Sequence, residues 1–350
     1  MKVLADFHHD GLYYSLQLLF EKRLGFEFYK QIGLDWQING FWNVFPHPAT
    51  AQQYLGLHNA LTGTELDNYF DENKCINKNY TIEDEVFYVK DFAHENNIQR
   101  AITLDYFKNN KFDILICSMP NHIESFKKLI ALYQPQAKLI FQMGNNWNNT
   151  FGVKNILSSI APLYTQDKNI NIVNYHQEFD LDLFKYVSPT NHHQVNSYIH
   201  YMQEVNILND YANTLSNDWK FNCYGCDMKD ERLGQDDIAK AYINSGWTWN
   251  IKPGGDGYGH TIYNSAACGR PFIIKLNYLK GCHALELMED GVTCVDISKR
   301  SIRDNCILLN QLSRPDNHIK MCDNMYKRFK ECVDFDHDEQ LVRKFISNLI

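Results

Sequence analysis

One stretch constrains the fold of this chain more than any other. In Lys252-Pro-Gly-Gly-Asp-Gly-Tyr-Gly-His-Thr-Ile-Tyr-Asn-Ser-Ala-Ala-Cys-Gly-Arg-Pro271, glycines, a carboxylate and a helix start coincide. Gly246-Trp-Thr-Trp-Asn-Ile251 leads into it and Phe272-Ile-Ile-Lys275 leaves it, a pattern of strand, glycine loop, short helix and strand. Gly254, Gly255, Gly257 and Gly259 permit positive φ and close backbone approach, so loop amides and a helix beginning near Gly259 or His260 can point at an anion such as phosphate. Ile262, Ala266 and Ala267 give that helix a small apolar face, Gly269 suits its C-terminal cap, and Pro271 stops it. The loop composition alone also fits a plain glycine-rich surface turn.

The rest of the chain alternates in the same way. Lys2 to Phe7 reads as a buried strand, His8-His9-Asp10-Gly11 as a turn, and Leu12, Leu16, Leu19 and Phe20 as the apolar face of a helix closed by Gly25. Residues 8 to 11 then lie at the carboxyl edge of a strand, where open parallel sheets bind ligands. A strand begins at Phe26. From Gly33 to about Asn79 the pattern dissolves into Trp36, Phe41, Trp42, Phe45 and Tyr54 among polar spacers, an aromatic insertion that either packs over the sheet or offers a stacking wall to an acceptor.

Strands are predicted at Glu85–Val89, Phe112–Cys117, Ala137–Gln142 and Asn169–Asn174, and helices at about His122–Tyr133 and Lys154–Ile160. Together they make a sheet of about six strands by residue 175, and acidic, aperiodic Tyr175–Phe184 is the candidate hinge. The second half repeats the scheme. Lys185–Val187 and Lys220–Tyr224 read as strands, a helix lies within Val195–Leu215, another spans Asp236–Asn244, and Val292–Asp296 is a late strand before a helical tail from about Ser301.

The fold class is therefore α/β, with two Rossmann-like doubly wound domains facing across a cleft. Expected boundaries are 1–184, 185–335 and a C-terminal helix at 336–350 packing back on the first domain. The length, 350 residues, accommodates two cores. Apolar runs are strand-length, so no transmembrane helix is predicted, and the N-terminus is unlike a signal peptide, which leads us to expect a cytoplasmic protein. Its ten cysteines then read as thiols, and Cys223-Tyr-Gly-Cys226 lacks the second pair that would complete a zinc site. A net charge of −8 disfavours tight nonspecific binding to nucleic acid or anionic membrane.

The order of these parts resembles the GT-B glycosyltransferases of group 1, the glycogen-synthase-like retaining superfamily, over most of the chain. The matching motif is an acidic residue, Gly, aromatic, Gly, then an apolar helix with a second acidic residue eight positions on, and a small-residue run ending Cys-Gly-x-Pro. Asp256-Gly257-Tyr258-Gly259 and Ala266-Ala267-Cys268-Gly269-Arg270-Pro271 match it, and Asn264 stands where the second carboxylate belongs. His8-His9-Asp10-Gly11, Met119-Pro-Asn-His122 and Asn174 through Phe184 are weaker echoes. Many members carry an Arg and a Lys after the first strand of the second domain, whereas Ser188-Pro-Thr-Asn-His-His193 has neither.

The resemblance implies transfer of a sugar from a nucleotide-sugar donor, such as a UDP- or GDP-sugar, to an unidentified acceptor: a saccharide, a lipid-linked group, a protein or, less in keeping with the charge, nucleic acid. It implies retention at the anomeric carbon and no metal or other cofactor. It puts Asp256 near the donor sugar and Asn264 at the ribose, where an amide oxygen accepts more weakly than a carboxylate. His8, Asp10 and His122 are assigned to the reacting end. Gly11, Lys252, Gly255, Gly257, Tyr258, Gly259, His260, Thr261 and Asn264 are assigned to the nucleotide-sugar, with Lys252, Arg270 or Lys275 as substitutes for the missing cations. His122 capping its helix and Asn264 bonding a neighbouring backbone group are the structural alternatives. At the level of function the alternatives are a nucleotide-sugar epimerase of the same fold and a catalytically degenerate protein that binds a glycan or partner.

Overall fold

A computed structural model describes residues 1–6, 10–31, 80–84, 86–91, 94, 97–144, 149–160, 169–199, 204–224, 233–255 and 257–350. The aromatic insertion, His8, Cys226 and Asp256 lie outside the described residues. The chain forms two compact units, one of Met1–Ser159, Leu163–Glu178 and Asp336–Ile350, the other of Ile160–Pro162 and Phe179–Phe335. It passes from the first to the second after Glu178, within the stretch Tyr175–Phe184.

The first unit is built on β1 (Lys2–Ala5), β2 (Glu27–Gln31), β3 (Tyr80–Glu83), β4 (Val86–Lys90), β5 (Ile98–Ile102), β6 (Ile114–Cys117), β7 (Lys138–Met143), β8 (Asn155–Ser158) and β9 (Asn171–Asn174). They form one sheet in the order β3-β4-β5-β2-β1-β6-β7-β8-β9. The β3–β4 and β4–β5 pairs are antiparallel, and every pair from β5 to β9 is parallel. The central strands are apolar on both faces, as a doubly covered parallel sheet requires: Val3, Leu4 and Ala5 of β1 and all four residues of β6 are fully buried. Helix α1 (Asp10–Gln17), continued by a wider turn over Leu18–Arg23, buries Leu12, Leu16, Leu19 and Phe20 against one face. Helices α2 (Leu104–Asn109) and α3 (Ile123–Tyr133) follow β5 and β6.

In the second unit β10 (Gln194–Ser197), β11 (Lys220–Cys223), β12 (Trp247–Asn250), β13 (Phe272–Ile274) and β14 (Cys294–Asp296) form an all-parallel sheet in the order β11-β10-β12-β13-β14. The period of two in Trp247-Thr-Trp-Asn250 separates two cores. Trp247 and Trp249 pack with helices α4 (Val205–Thr214) and α7 (Ile302–Leu312). Phe272 and Ile274 pack on the other face with α5 (Gln235–Asn244), α6 (His260–Ala267) and α8 (Pro315–Cys332). The last helix, α9 (Phe335–Ser347), carries Val342, Phe345 and Ile346 into the first unit's core, and Arg23 holds its start through Asp336 at 2.6 Å.

Three expectations are corrected. Lys154–Ile160 is no helix: Asn155–Ser158 is strand β8, paired on both sides, and its Ile156 and Leu157 are buried. Lys185–Val187 is no strand; the Tyr186 ring stacks on Tyr326 and its hydroxyl donates to Asp323, so side-chain packing decides this segment. The helix expected within Val195–Leu215 is α4, Val205–Thr214, and strand β10 ahead of it was not foreseen. The first sheet has nine strands among the described residues, because β3, β5 and β8 add to the six expected. Ser188–His193 therefore precedes the first strand of the second unit, yet the residues after it, Tyr198 to Glu204, also contain no Lys or Arg.

Candidate functional site

The glycine loop leaves β12 at the carboxyl edge of its parallel sheet and all its glycines have positive φ: 81° at Gly254, 74° at Gly255, 51° at Gly257 and 76° at Gly259. At Gly255 a Cβ would lie 2.5 Å from the Tyr278 carbonyl oxygen and 2.7 Å from Cys282 Sγ, so glycine alone lets the loop close on that turn. Gly259 is the N-cap of α6, in the left-handed region and with no side chain of its own to cap the helix. Ile262 N and Tyr263 N bond back to the Gly259 carbonyl at 2.8 and 3.3 Å. The amides of His260 and Thr261 ahead of them are the kind that anions seek at helix starts.

One turn into α6, Asn264 is 7% exposed and its Oδ1 is buried without a hydrogen-bond partner. A carbonyl oxygen shut from water with no donor is rare in a folded protein and marks a place where a donor from elsewhere would be welcome. Two further atoms of this kind close neighbouring strands: Ser197 Oγ at the end of β10 and Asn250 Nδ2 at the end of β12 are buried and unpartnered. Sequence reasoning missed both, although a polar residue ending an apolar strand at the carboxyl edge was the available signal.

The loop is anchored from below. Tyr258 and Tyr263 stack at 4.2 Å with planes 4° apart, both rings are buried, and the Tyr263 hydroxyl donates to Glu286 at 2.8 Å. Burial pushes the Tyr263 hydroxyl well above the usual tyrosine range. His260 sets its ring edge-on to Tyr258 at 5.4 Å, the Thr261 carbonyl accepts from Tyr242 at 3.1 Å, and Lys252 is half-buried just past β12. The structure thus gathers Lys252, Gly255, Gly257, Tyr258, Gly259, His260, Thr261 and Asn264 on one loop and the helix that follows.

The cations behave differently from one another. Arg270 is fully buried behind α6, where it donates to the Val187 carbonyl, so it braces the fold and is unavailable to a ligand. Lys275, at the exit of β13, pairs with Glu204 at 3.0 Å and donates to the Tyr278 hydroxyl at 3.1 Å. Partial burial pulls its pKa down, but the bonds to Glu204 and Tyr278 prevail and raise it.

In the first unit Asp10 and Gly11 open α1 after β1, and His122 precedes α3 after β6; β1 and β6 are parallel neighbours, so both lie at the carboxyl edge. His122 does not cap α3, for its side chain bonds no amide of the helix. Its Nδ1 instead lies 3.1 Å from Asp6 Oδ2. Asp6 ends the apolar run Val3-Leu-Ala5 and went unnoticed in the sequence, because its partners stand more than 110 residues away.

No family model matches the chain, and no curated protein matches it by sequence. Among solved structures it is similar to HepE of Anabaena in complex with UDP and glucose, at 12% identity and a TM-score of 0.59 over 99% of this chain and 100% of that one. It is similar to the pneumococcal O-GlcNAc transferase GtfA in complex with UDP and GlcNAc, at 11% identity and 0.60 over 100% and 99%. A third likeness, at 11% identity and 0.56 over 99% and 100%, is to an α-glucosyltransferase in complex with UDP and a 13-mer DNA with a central A:G mismatch. These are full-length likenesses of fold, and the mixed α/β architecture with one largely parallel and one all-parallel sheet is that of the GT-B glycosyltransferases, as the resemblance in the sequence implied.

Proposed function

We propose that the chain is a glycosyltransferase that binds a nucleoside-diphosphate sugar, a UDP-sugar first among candidates, through its second unit and transfers the sugar to an acceptor bound by its first. One observation carries the reading: α6 starts at a glycine N-cap on a loop of positive-φ glycines and holds, one turn in, the unpartnered buried oxygen of Asn264. Diphosphate suits the first feature and a ribose hydroxyl the second. The UDP in the similar HepE and GtfA structures supports the choice of nucleotide.

Breaking the bond between the anomeric carbon and the diphosphate leaves negative charge on the departing oxygens. Fixed amides at Gly257, Gly259 and the start of α6 oppose that charge without reorganising during the reaction. Asp256 belongs at the sugar, with His122 and Asp10 at the reacting end. Retention, and action without a metal ion, are parts of this proposal that rest on the family resemblance. Acceptors to try are saccharides, lipid-linked sugars and proteins first. The charge of −8 places nucleic acid behind them, and the likeness to a DNA-bound glucosyltransferase keeps it on the panel.

The test is a panel of nucleotide sugars titrated into wild type and Asp256→Ala, with binding read by calorimetry and turnover by release of the nucleotide. Wild type should bind at least one of them, and the substitution should weaken binding or abolish turnover. If no nucleotide binds, or if Asp256→Ala changes neither measurement, the reading fails.

A further inference from the structure

Asp6 leaves β1 at the carboxyl edge of the first sheet and is 3% exposed. Its two oxygens collect the donors that the exit of β6 presents. Ser118 N lies 2.9 Å from each oxygen, Ser118 Oγ 2.6 Å from Oδ1, Met119 N 3.3 Å from Oδ2, and His122 Nδ1 3.1 Å from Oδ2. A carboxylate only accepts, so Nδ1 of His122 must carry the proton. In the neutral ring Nε2 is then a lone-pair acceptor, and among the described residues nothing bonds it.

We propose that Asp6 is a positioning residue that holds His122 in the Nδ1–H tautomer, so that the imidazole meets a substrate hydroxyl as a hydrogen-bond acceptor. The nature of that hydroxyl, on the transferred sugar, rests on the glycosyltransferase reading; the tautomer does not. A hydroxyl that donates to Nε2 is fixed in direction, whereas an Nε2–H ring would force it to accept and would turn its proton elsewhere. The other bonds to Asp6 serve the same end. The two amides and the Ser118 hydroxyl pin the carboxylate against rotation, and the imidazole inherits its orientation.

The direct measurement is the nitrogen spectrum of ¹⁵N-histidine-labelled full-length protein at neutral pH, with the His122 signals identified by their loss in His122→Gln. Wild type should show Nδ1 protonated and Nε2 bare. Asp6→Ala should move His122 toward the Nε2–H form. It should also lower the kcat of UDP-glucose hydrolysis about tenfold, the effect of one hydrogen bond of ordinary strength, while UDP affinity stays within about twofold. Ser118→Ala removes one bond to Asp6 but leaves that of the imidazole, so it should lower stability and keep the Nδ1–H form. Should alanine at position 6 not fold, Asp6→Asn keeps the shape with a weaker acceptor and should move the tautomer in the same direction. An unchanged tautomer without Asp6, or a changed tautomer with unchanged turnover, overturns the proposal. Failure of wild type to bind UDP would instead sink the glycosyltransferase reading, and the spectra would still decide the part played by Asp6.

Discussion

Acid should weaken the second unit through one histidine. His318 in α8 is fully buried; its Nε2 donates to the Gly246 carbonyl at 2.9 Å, so its bare Nδ1 accepts from His192 Nδ1 at 2.9 Å. Burial pushes its pKa down to about 3 from 6.5; His192, Arg270 and His193 push the same way, while the bond to Gly246 opposes them. Between those two values the unfolded chain binds a proton that the folded chain refuses. Stability is therefore fully present above about pH 6.5 and is lost as pH falls toward about 3. The full span corresponds to about 5 kcal/mol, of which about 2 kcal/mol should be gone on moving from pH 7 to pH 5. Urea titrations at the two pH values measure this, followed by the fluorescence of Trp247, whose ring lies 5.0 Å from His318. The comparison is with His318→Gln, which loses packing at every pH but has nothing to protonate there. Carboxylates elsewhere titrate alike in both proteins and cancel. Equal losses between pH 7 and pH 5 in wild type and variant would refute the reasoning.

Other substitutions bear on the ligand. Asn264→Glu places a charged acceptor where an amide oxygen now has no partner, so it should lower the melting temperature of the free protein and tighten UDP binding about tenfold, read by calorimetry; unchanged affinity would mean that the position does not meet the nucleotide. Gly255→Ala puts a methyl group into the Tyr278 backbone at a φ of 74°, and because the loop must shift, UDP affinity should drop by about tenfold or more while the helical circular dichroism stays. Val342→Ala should destabilise the first unit by about 2 kcal/mol in urea titration, since the side chain is fully buried in its core; a change near zero would show that α9 contributes little there.

The elements that were legible in the sequence are those whose signals are local. Gly259 before the helix, Gly269 after it and Pro271 beyond it bracket α6 within a residue, because caps and positive φ are properties of short segments. Leu12, Leu16, Leu19 and Phe20 share a face by helical period alone. Ile156 and Leu157 misled because a strand buried on both faces has no period to read, and Lys185–Val187 because Tyr186 and Val187 are residue types that favour strands while side-chain packing set their backbone. Asn264, as a departure from the paired-carboxylate pattern, was visible beforehand; that its oxygen is buried without a donor was not.

By itself the sequence determined the alternation of strand and helix, the glycine loop and the order of parts that resembles GT-B enzymes, since each follows from residues a few positions apart. Only the tertiary structure decided which polar groups meet. Arg270 went into the core, Lys275 to Glu204, and Asp6 to a histidine 116 residues on. Such pairings depend on which strands become neighbours, and β1 lies beside β6 for reasons spread over the whole sheet. The chemistry of the first unit's carboxyl edge, a histidine with a set tautomer, exists only once that pairing has formed.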